Sequence, residues 1–239
     1  MRGQLALAVG QSERVRRLSA GGVVVELGPR RVVAAFDFDG TLTDRDTLVP
    51  FLVRAFGRTR VAWTFATLGL HAIAFALGRT SIDAFKVRVL RRLMVGQPVE
   101  RLRRLGATHA RDIRRWLRTD ALERIEWHRE RGHRLVLVSS TLDLYLVVVA
   151  SDLGFDDLLC TRLAVEVQPE GVVCFTGLLA GPDCSGAEKL RRLRALVGDL
   201  GEVELHAYGD SAGDRELLGA ADHAHYRPFR GPKPGPSAR

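Results

Sequence analysis

The sequence predicts an α/β fold: a parallel sheet covered by helices on both faces, interrupted after its first strand by a helical insert. Short apolar runs at 32–37, 134–138, 158–161 and 203–209 alternate with helix-like stretches, the order expected of strands joined by helical crossovers. Polar, acid-rich clusters stand directly after three of these runs, at the strand ends where such sheets bind ligands. The charge is divided in the same way. Residues 51–118 hold fifteen Lys and Arg against three Asp and Glu (+12), while 32–50 and 119–226 together carry −12.

In chain order, residues 1–31 carry +4 and form an extension. Their apolar start, LALAVG, is too short for a signal peptide and has no clear cleavage site. VVAAFD is a short buried strand ending in acid, and the polar turn FDGTLTDRD follows it. From Thr47 to about Arg118 the chain is arginine-rich and helical, with Gly57, Gly69, Gly78, Gly96 and Gly106 as punctuation. Asp120 caps a helix that Gly132 stops. RLVLV is the second strand, and Ser139-Ser140-Thr141 opens the next helix. LLCT is a strand, and LAVEV and VVCFTG form a hairpin across QPEG. Ser185 begins a helix containing Lys189, VELHAYG is a further strand, and HAHY is a last short one. The tail 227–239, with four prolines and a charge of +4, is expected to be disordered. The core is thus 32–50 with 119–226, and the insert is 51–118.

A chain of 239 residues with 46% hydrophobic and 27% charged residues is of ordinary globular composition, which excludes collagen-like, coiled-coil and wholly disordered chains. Three cysteines without CxxC spacing (Cys160, Cys174, Cys184) make a disulfide framework or structural zinc site unexpected and a reducing cytosol the default. A net charge of +8 admits nucleic acid, anionic lipid or phosphorylated partners, but the acidic body argues against a groove-wrapping nucleic-acid binder, and no specific nucleic acid is expected. Residues 61–78 are uncharged for 18 positions, at the lower edge of a membrane span. Three readings are open: a packed helix of the insert, a helix lying on an anionic bilayer, or a span.

The chemistry gathers at strand ends. Asp37 and Asp39 flank Phe38, with Gly40 allowing a tight turn; Asp210 and Asp214 follow a later strand. Four carboxylates at one sheet edge repel unless a cation sits among them, and hard oxygen ligands favour Mg²⁺. Ser139 offers a hydroxyl at a third strand end, and Lys189 a second positive charge.

The run Asp37-Phe38-Asp39-Gly40-Thr41-Leu42-Thr43 resembles the first motif of the haloacid dehalogenase (HAD) superfamily. The strand ending in Ser139, Lys189 in its helix and Gly209-Asp210-Ser211-Ala212-Gly213-Asp214 are similar to its other three motifs, in order. The resemblance covers roughly 32–226 and implies a Rossmann-like HAD core with an inserted helical (C1-type) cap. It also implies a phosphatase: Asp37 as nucleophile, Asp39 as general acid and base, and Ser139, Lys189 and Thr41 around the phosphoryl group. Mg²⁺ is then held by the Asp37 carboxylate, the Asp39 backbone carbonyl and Asp210, while Asp214 binds water in the metal's shell or orients Lys189. An aspartate at position 39 favours phosphoester hydrolysis over C–halogen cleavage or ion pumping.

The insert is similar to the cap of the phosphoserine-phosphatase-like branch, subfamily IB. RDTLVPFL, VLVSSTLDLYL and AYGDSAGDRELL resemble bacterial members of it, some of which are phosphatidylglycerophosphate phosphatases. Phosphoserine phosphatases carry a glutamate nine residues after the nucleophile; here it is Asp46, which reads substrate or caps a helix. The implied substrate is a small phosphorylated metabolite or a lipid phosphate, and the implied location the cytoplasm or the inner face of its membrane. Among the cap cations Lys86, Arg88, Arg91 and Arg92 no substrate reader is assigned. His71 is expected in packing, and His128, His133 and His206 show no metal-ligand spacing.

Overall fold

A computed structural model describes residues 30–69 and 82–230. Strands β1 (Arg31–Phe36), β2 (Arg134–Leu142), β3 (Asp157–Thr161), β6 (Val203–Gly209) and β7 (His223–Tyr226) form one sheet in the order β3-β2-β1-β6-β7, and every pairing in it is parallel. The chain builds outward from β1 through β2 to β3, then returns to the other side of β1 for β6. The strand order therefore reverses beside β1, and the crevice at the C-terminal ends of β1 and β6 is the switch point where such sheets bind ligands.

Alternation along β1 fixes the two layers. Ala34 and Phe36 face a core shared with Leu135, Leu137 and Tyr208 and with helices α5 (Thr119–Arg129) and α6 (Asp143–Asp152). Val33 and Ala35 face the other side, with Val136, Val138, Leu205 and Ala207, under α7 (Ala187–Val197) and α8 (Arg215–Gly219). A strand buried on both faces needs a continuous apolar run, which VVAAF supplies.

The insert holds α1 (Leu48–Phe56), which begins three residues ahead of the expected start at 51, α2 (Arg58–Thr67), α3 (Ile82–Met94) and α4 (Val99–Ile113). Gly106 does not punctuate them. It lies inside α4, where a Cβ would stand 2.2 Å from the Leu144 carbonyl oxygen; only glycine lets α4 close on the start of α6. The antiparallel hairpin β4 (Leu163–Val167) and β5 (Val173–Leu179) backs the insert, with the Gly96 N–H donating to the Phe175 carbonyl at 2.9 Å and the Phe175 N–H to that of Gln97 at 3.0 Å. Of the apolar segment 61–78, residues 70–78, with His71 and Gly78, lie outside the described residues. Within the rest Val61 and Thr64 are buried and Trp63 is exposed. No helix among the described residues is long and apolar enough to cross a membrane.

Three other boundaries differ from expectation. Arg30 and Arg31 belong to the core rather than the extension: Arg30 pairs with Asp222 at 2.9 Å and donates to the Val203 carbonyl. Ser139-Ser140-Thr141 do not open a helix; β2 runs on to Leu142 through a register shift against β3, with the Ser139 hydroxyl accepting the Thr141 N–H at 3.1 Å. The first four tail residues are ordered. The Arg227 N–H donates to the Gly209 carbonyl at 2.8 Å, Phe229 is buried with its ring stacked 5.7 Å from that of Tyr208, and Arg118 donates to the Phe229 carbonyl. Proline density marks this stretch as loop, and one aromatic ring suffices to anchor it. Phe229→Ala is expected to cost about 3 kcal/mol of stability by denaturant unfolding; an unchanged midpoint contradicts the anchor.

His128 lies fully buried against Phe36, its Nε2 2.8 Å from the Tyr208 hydroxyl and its Nδ1 2.7 Å from His133 Nδ1. Burial, then the neighbouring imidazoles, push His128 down to about 3 and His206 to about 4. These rings stay neutral when folded and take up protons on unfolding below about pH 6.5, so their contribution is present above that pH and is lost as the pH falls toward 4. We expect stability to drop between pH 7 and pH 5, with on the order of 1 kcal/mol of that drop absent from a His128→Gln variant. Equal slopes in urea titrations of the two proteins contradict this.

Candidate active site

β1 delivers Asp37 to the crevice, its N–H still bonded to the Tyr208 carbonyl of β6 at 2.9 Å. Asp37 is 6% exposed. Its Oδ2 accepts from the Thr41 hydroxyl at 2.9 Å and its Oδ1 from Lys189 Nζ at 2.6 Å. Lys189, 2% exposed, also donates to Asp214 Oδ1 at 2.6 Å. Burial works against the Lys189 ammonium, but the two carboxylates outweigh it and hold Lys189 above its ordinary value. The carboxylates divide in turn. Burial pushes Asp37 up despite Lys189. Asp214 is held down because Lys189 and Ser211 overcome its burial.

Asp214 Oδ2 accepts the backbone N–H groups of Asp210 and Ser211 and the Ser211 hydroxyl. Both its oxygens thus accept hydrogen bonds, one of them from Lys189, which this contact orients. Asp210 lies beside Gly40. That glycine has φ +82°, and a Cβ there would meet Asp210 Oδ2 at 2.6 Å. Backbone conformation and space both require glycine at this turn. Arg230, from the ordered tail, pairs with the same Oδ2 at 3.0 Å.

Asp37, Asp210 and Asp214 each offer a carboxylate oxygen, all within 4.8 Å of one another. This all-oxygen, multiply anionic donor set fits Mg²⁺. The Asp39 carboxylate is not part of it and turns toward the cap. Its Oδ1 accepts the Thr47 N–H at 2.9 Å and the Thr47 hydroxyl at 2.7 Å, and its Oδ2 accepts the Thr141 hydroxyl. Burial first, then the nearby Asp46 charge, push Asp39 up to about 7 against these hydrogen bonds. Two aspartates two residues apart therefore stand in different environments: one beside an ammonium, the other among neutral hydroxyls.

Ser139, where the register of β2 shifts, is buried at the same C-terminal end of the sheet as Asp37. Asp46 is exposed, and its Oδ1 accepts the Val49 N–H at 3.0 Å, as a helix cap does. Of the cap cations, Arg88, Arg91 and Arg92 are exposed, whereas Lys86 reaches the core. Its Nζ donates to the Ser140 carbonyl at 2.6 Å and to Asp183 at 2.7 Å. Thr47, Thr141 and Tyr145, whose hydroxyl lies 3.0 Å from that of Thr47, escaped the sequence reading because threonines carry no positional signal of their own. Thr141, two residues beyond Ser139 on the strand whose register shifts there, was the most accessible of the three.

Three comparisons bear on this geometry. The family model for haloacid dehalogenase-like hydrolases matches residues 34–219. Protein CicA of Caulobacter vibrioides is 36% identical over 212 residues, covering 86% of this chain and 90% of that protein. Among solved structures, a protein of unknown function from Bordetella pertussis superposes with a TM-score of 0.66 at 26% identity, over 80% of this chain and 87% of its own. A substrate-bound phosphoserine phosphatase shares the fold with a TM-score of 0.55 at 20% identity, over 81% and 84% of the two chains. A HAD family hydrolase of Salmonella enterica serovar Typhi does so at 0.60 and 18%, over 84% and 69%. The β1–β6 switch point, the acid pair after β1 and the family match agree: this chain belongs to the haloacid dehalogenase-like hydrolase family.

Proposed function

We propose that this chain is a magnesium-dependent phosphomonoester hydrolase of subfamily IB that works through an aspartyl-phosphate. One observation carries the reading. The two acids of the first turn are differentiated: Asp37 accepts from the Lys189 ammonium, whereas Asp39 accepts from the neutral hydroxyls of Thr47 and Thr141. A nucleophile must be ionised and a general acid protonated at the same pH, and separating two like groups by environment is how one site achieves both.

In the first half-reaction an Asp37 carboxylate oxygen attacks phosphorus, the bond from phosphorus to the leaving oxygen breaks, and Asp39 gives that oxygen its proton. In the second, Asp39 takes a proton from water as the water oxygen attacks phosphorus, and the bond to Asp37 breaks to release inorganic phosphate. Lys189 and the hydroxyls of Ser139 and Thr41 hold the phosphoryl oxygens, where positioning and charge supply most of the rate. Asp37, Asp210 and the Asp39 carbonyl would hold Mg²⁺, and the bound ion would supply charge neutralisation at the phosphoryl group.

The substrate we infer is a small phosphorylated metabolite or a lipid phosphate such as phosphatidylglycerophosphate. The cap's +12 charge favours an anionic substrate or an anionic surface beneath it. The membrane contact proposed for 61–78 has one exposed aromatic, Trp63, in its described part. Phosphoserine itself is disfavoured, because the position that reads its amino group in phosphoserine phosphatases holds Asp46, which is occupied with the Val49 N–H.

Phosphate release should require Mg²⁺, stop with EDTA and fall to background in Asp37→Asn. The panel is phosphatidylglycerophosphate in mixed micelles, lysophosphatidate, phosphoserine, histidinol phosphate and sugar phosphates. Release equal to the Asp37→Asn blank from every compound counts against hydrolysis and favours a binding module. Asp39→Asn should lower turnover by about 10²–10⁴-fold, with a smaller loss for an aryl phosphate whose leaving group needs no proton. An equal loss for alkyl and aryl esters contradicts the acid role.

A further inference from the structure

The outer part of β6 and the whole of β7 present histidines on one face. The parallel register sets His206 opposite His223 and Tyr208 opposite His225. Glu204 stands two residues before His206, on the same side of the strand. The His206 and His223 rings stack with centroids 4.2 Å apart. Glu204 Oε1 lies 2.8 Å from His223 Nε2 and 3.7 Å from His206 Nε2, and the three donor atoms lie within 4.8 Å of one another.

From this convergence we propose that Glu204, His206 and His223 form a second metal site, for Zn²⁺. Zinc bound tetrahedrally at ~2.0–2.1 Å keeps its donors about 3.3 Å apart. The two separations on Glu204 bracket that value. Two imidazoles with one carboxylate are a zinc set with a fourth position for water, and neutral nitrogen donors select against Mg²⁺. The site is distinct from the acidic crevice. Glu204 precedes Asp210 by six strand residues, about 20 Å at the rise of an extended chain.

His206 leaves its Nε2 available to an ion: that nitrogen lies 3.7 Å from Glu204 Oε1, too far to bond it directly, and an ion between the three side chains would engage it. His223 and Glu204 are half-exposed, which gives the ion a way in. Bound there, it would tie the edge strand β7 to β6. The chain spacing of these residues shows none of this, because a strand register, not a sequence interval, brings His223 to His206.

The test uses the full chain, stripped with chelator and then held in excess Mg²⁺ to fill the acidic crevice. Zn²⁺ binding is followed by calorimetry, and Co²⁺ by its visible absorption. One ion per chain is expected, with a tetrahedral Co²⁺ spectrum. Binding should be retained in Asp210→Asn and weakened at least tenfold in His223→Ala and in Glu204→Gln. Both substitutions fall at partly exposed positions, and circular dichroism reports on their folding. Affinity unchanged in both variants, no Zn²⁺ isotherm at all, or loss of the ion in Asp210→Asn would each overturn the proposal.

Discussion

The Lys189 ammonium, wedged between Asp37 and Asp214, is the contact on which the site depends. Two carboxylates buried side by side repel strongly in a low-dielectric setting, and neither would stay ionised there alone. One ammonium at 2.6 Å from each makes the pair tolerable and places positive charge where a phosphoryl group would sit. Such a triad adds little net stability, since desolvation consumes most of the Coulomb gain. Removing one member, however, leaves a buried unpaired charge at a cost of about 3–5 kcal/mol. Its use is positional: it fixes Asp37 Oδ1 and leaves Oδ2 to Thr41.

The rest of the fold brings that ammonium to that carboxylate. Asp37 ends β1, Asp214 lies just after β6, and Lys189 is on α7. The three meet only because the strand order reverses beside β1. Gly40 then lets Asp210 approach the nucleophile turn, and the ordered tail returns to place Arg230 on Asp210. The cap enters through a different residue. The Thr47 N–H and hydroxyl, at the start of α1, both bond Asp39, so the general-acid candidate is itself the joint between core and cap. The buried Tyr145, with its hydroxyl on that of Thr47, backs the joint. A movement of the cap would thus be felt first at Asp39 and hardly at Asp37.

Much of this was legible in the sequence. Strands buried on both faces read as unbroken apolar runs, and the charged residues that interrupt them fall at strand ends, so the convergence of Asp37, Ser139 and Asp210 could be foreseen. What could not be foreseen depended on long-range geometry. Ser139-Ser140-Thr141 has the composition of a helix cap, but pairing with β3 carries the strand to Leu142. Gly106 looks like a breaker until α6 is seen packed against it. Phe229 is one aromatic in a proline-rich tail, and only its contact with the Tyr208 ring explains its burial. Thr47 and Thr141 acquire meaning from Asp39 alone.

The central claim is that Asp37 carries the phosphoryl group. The direct measurement is a rapid acid quench of Asp39→Asn during turnover of an aryl phosphate, followed by peptide mass spectrometry. If Asp39 also activates the hydrolytic water, as proposed, the covalent species should accumulate in this variant. The account predicts a phosphoryl adduct on Asp37 that is absent when Asp37 is replaced by asparagine. Phosphate release with no adduct, or an adduct on another residue, would contradict it.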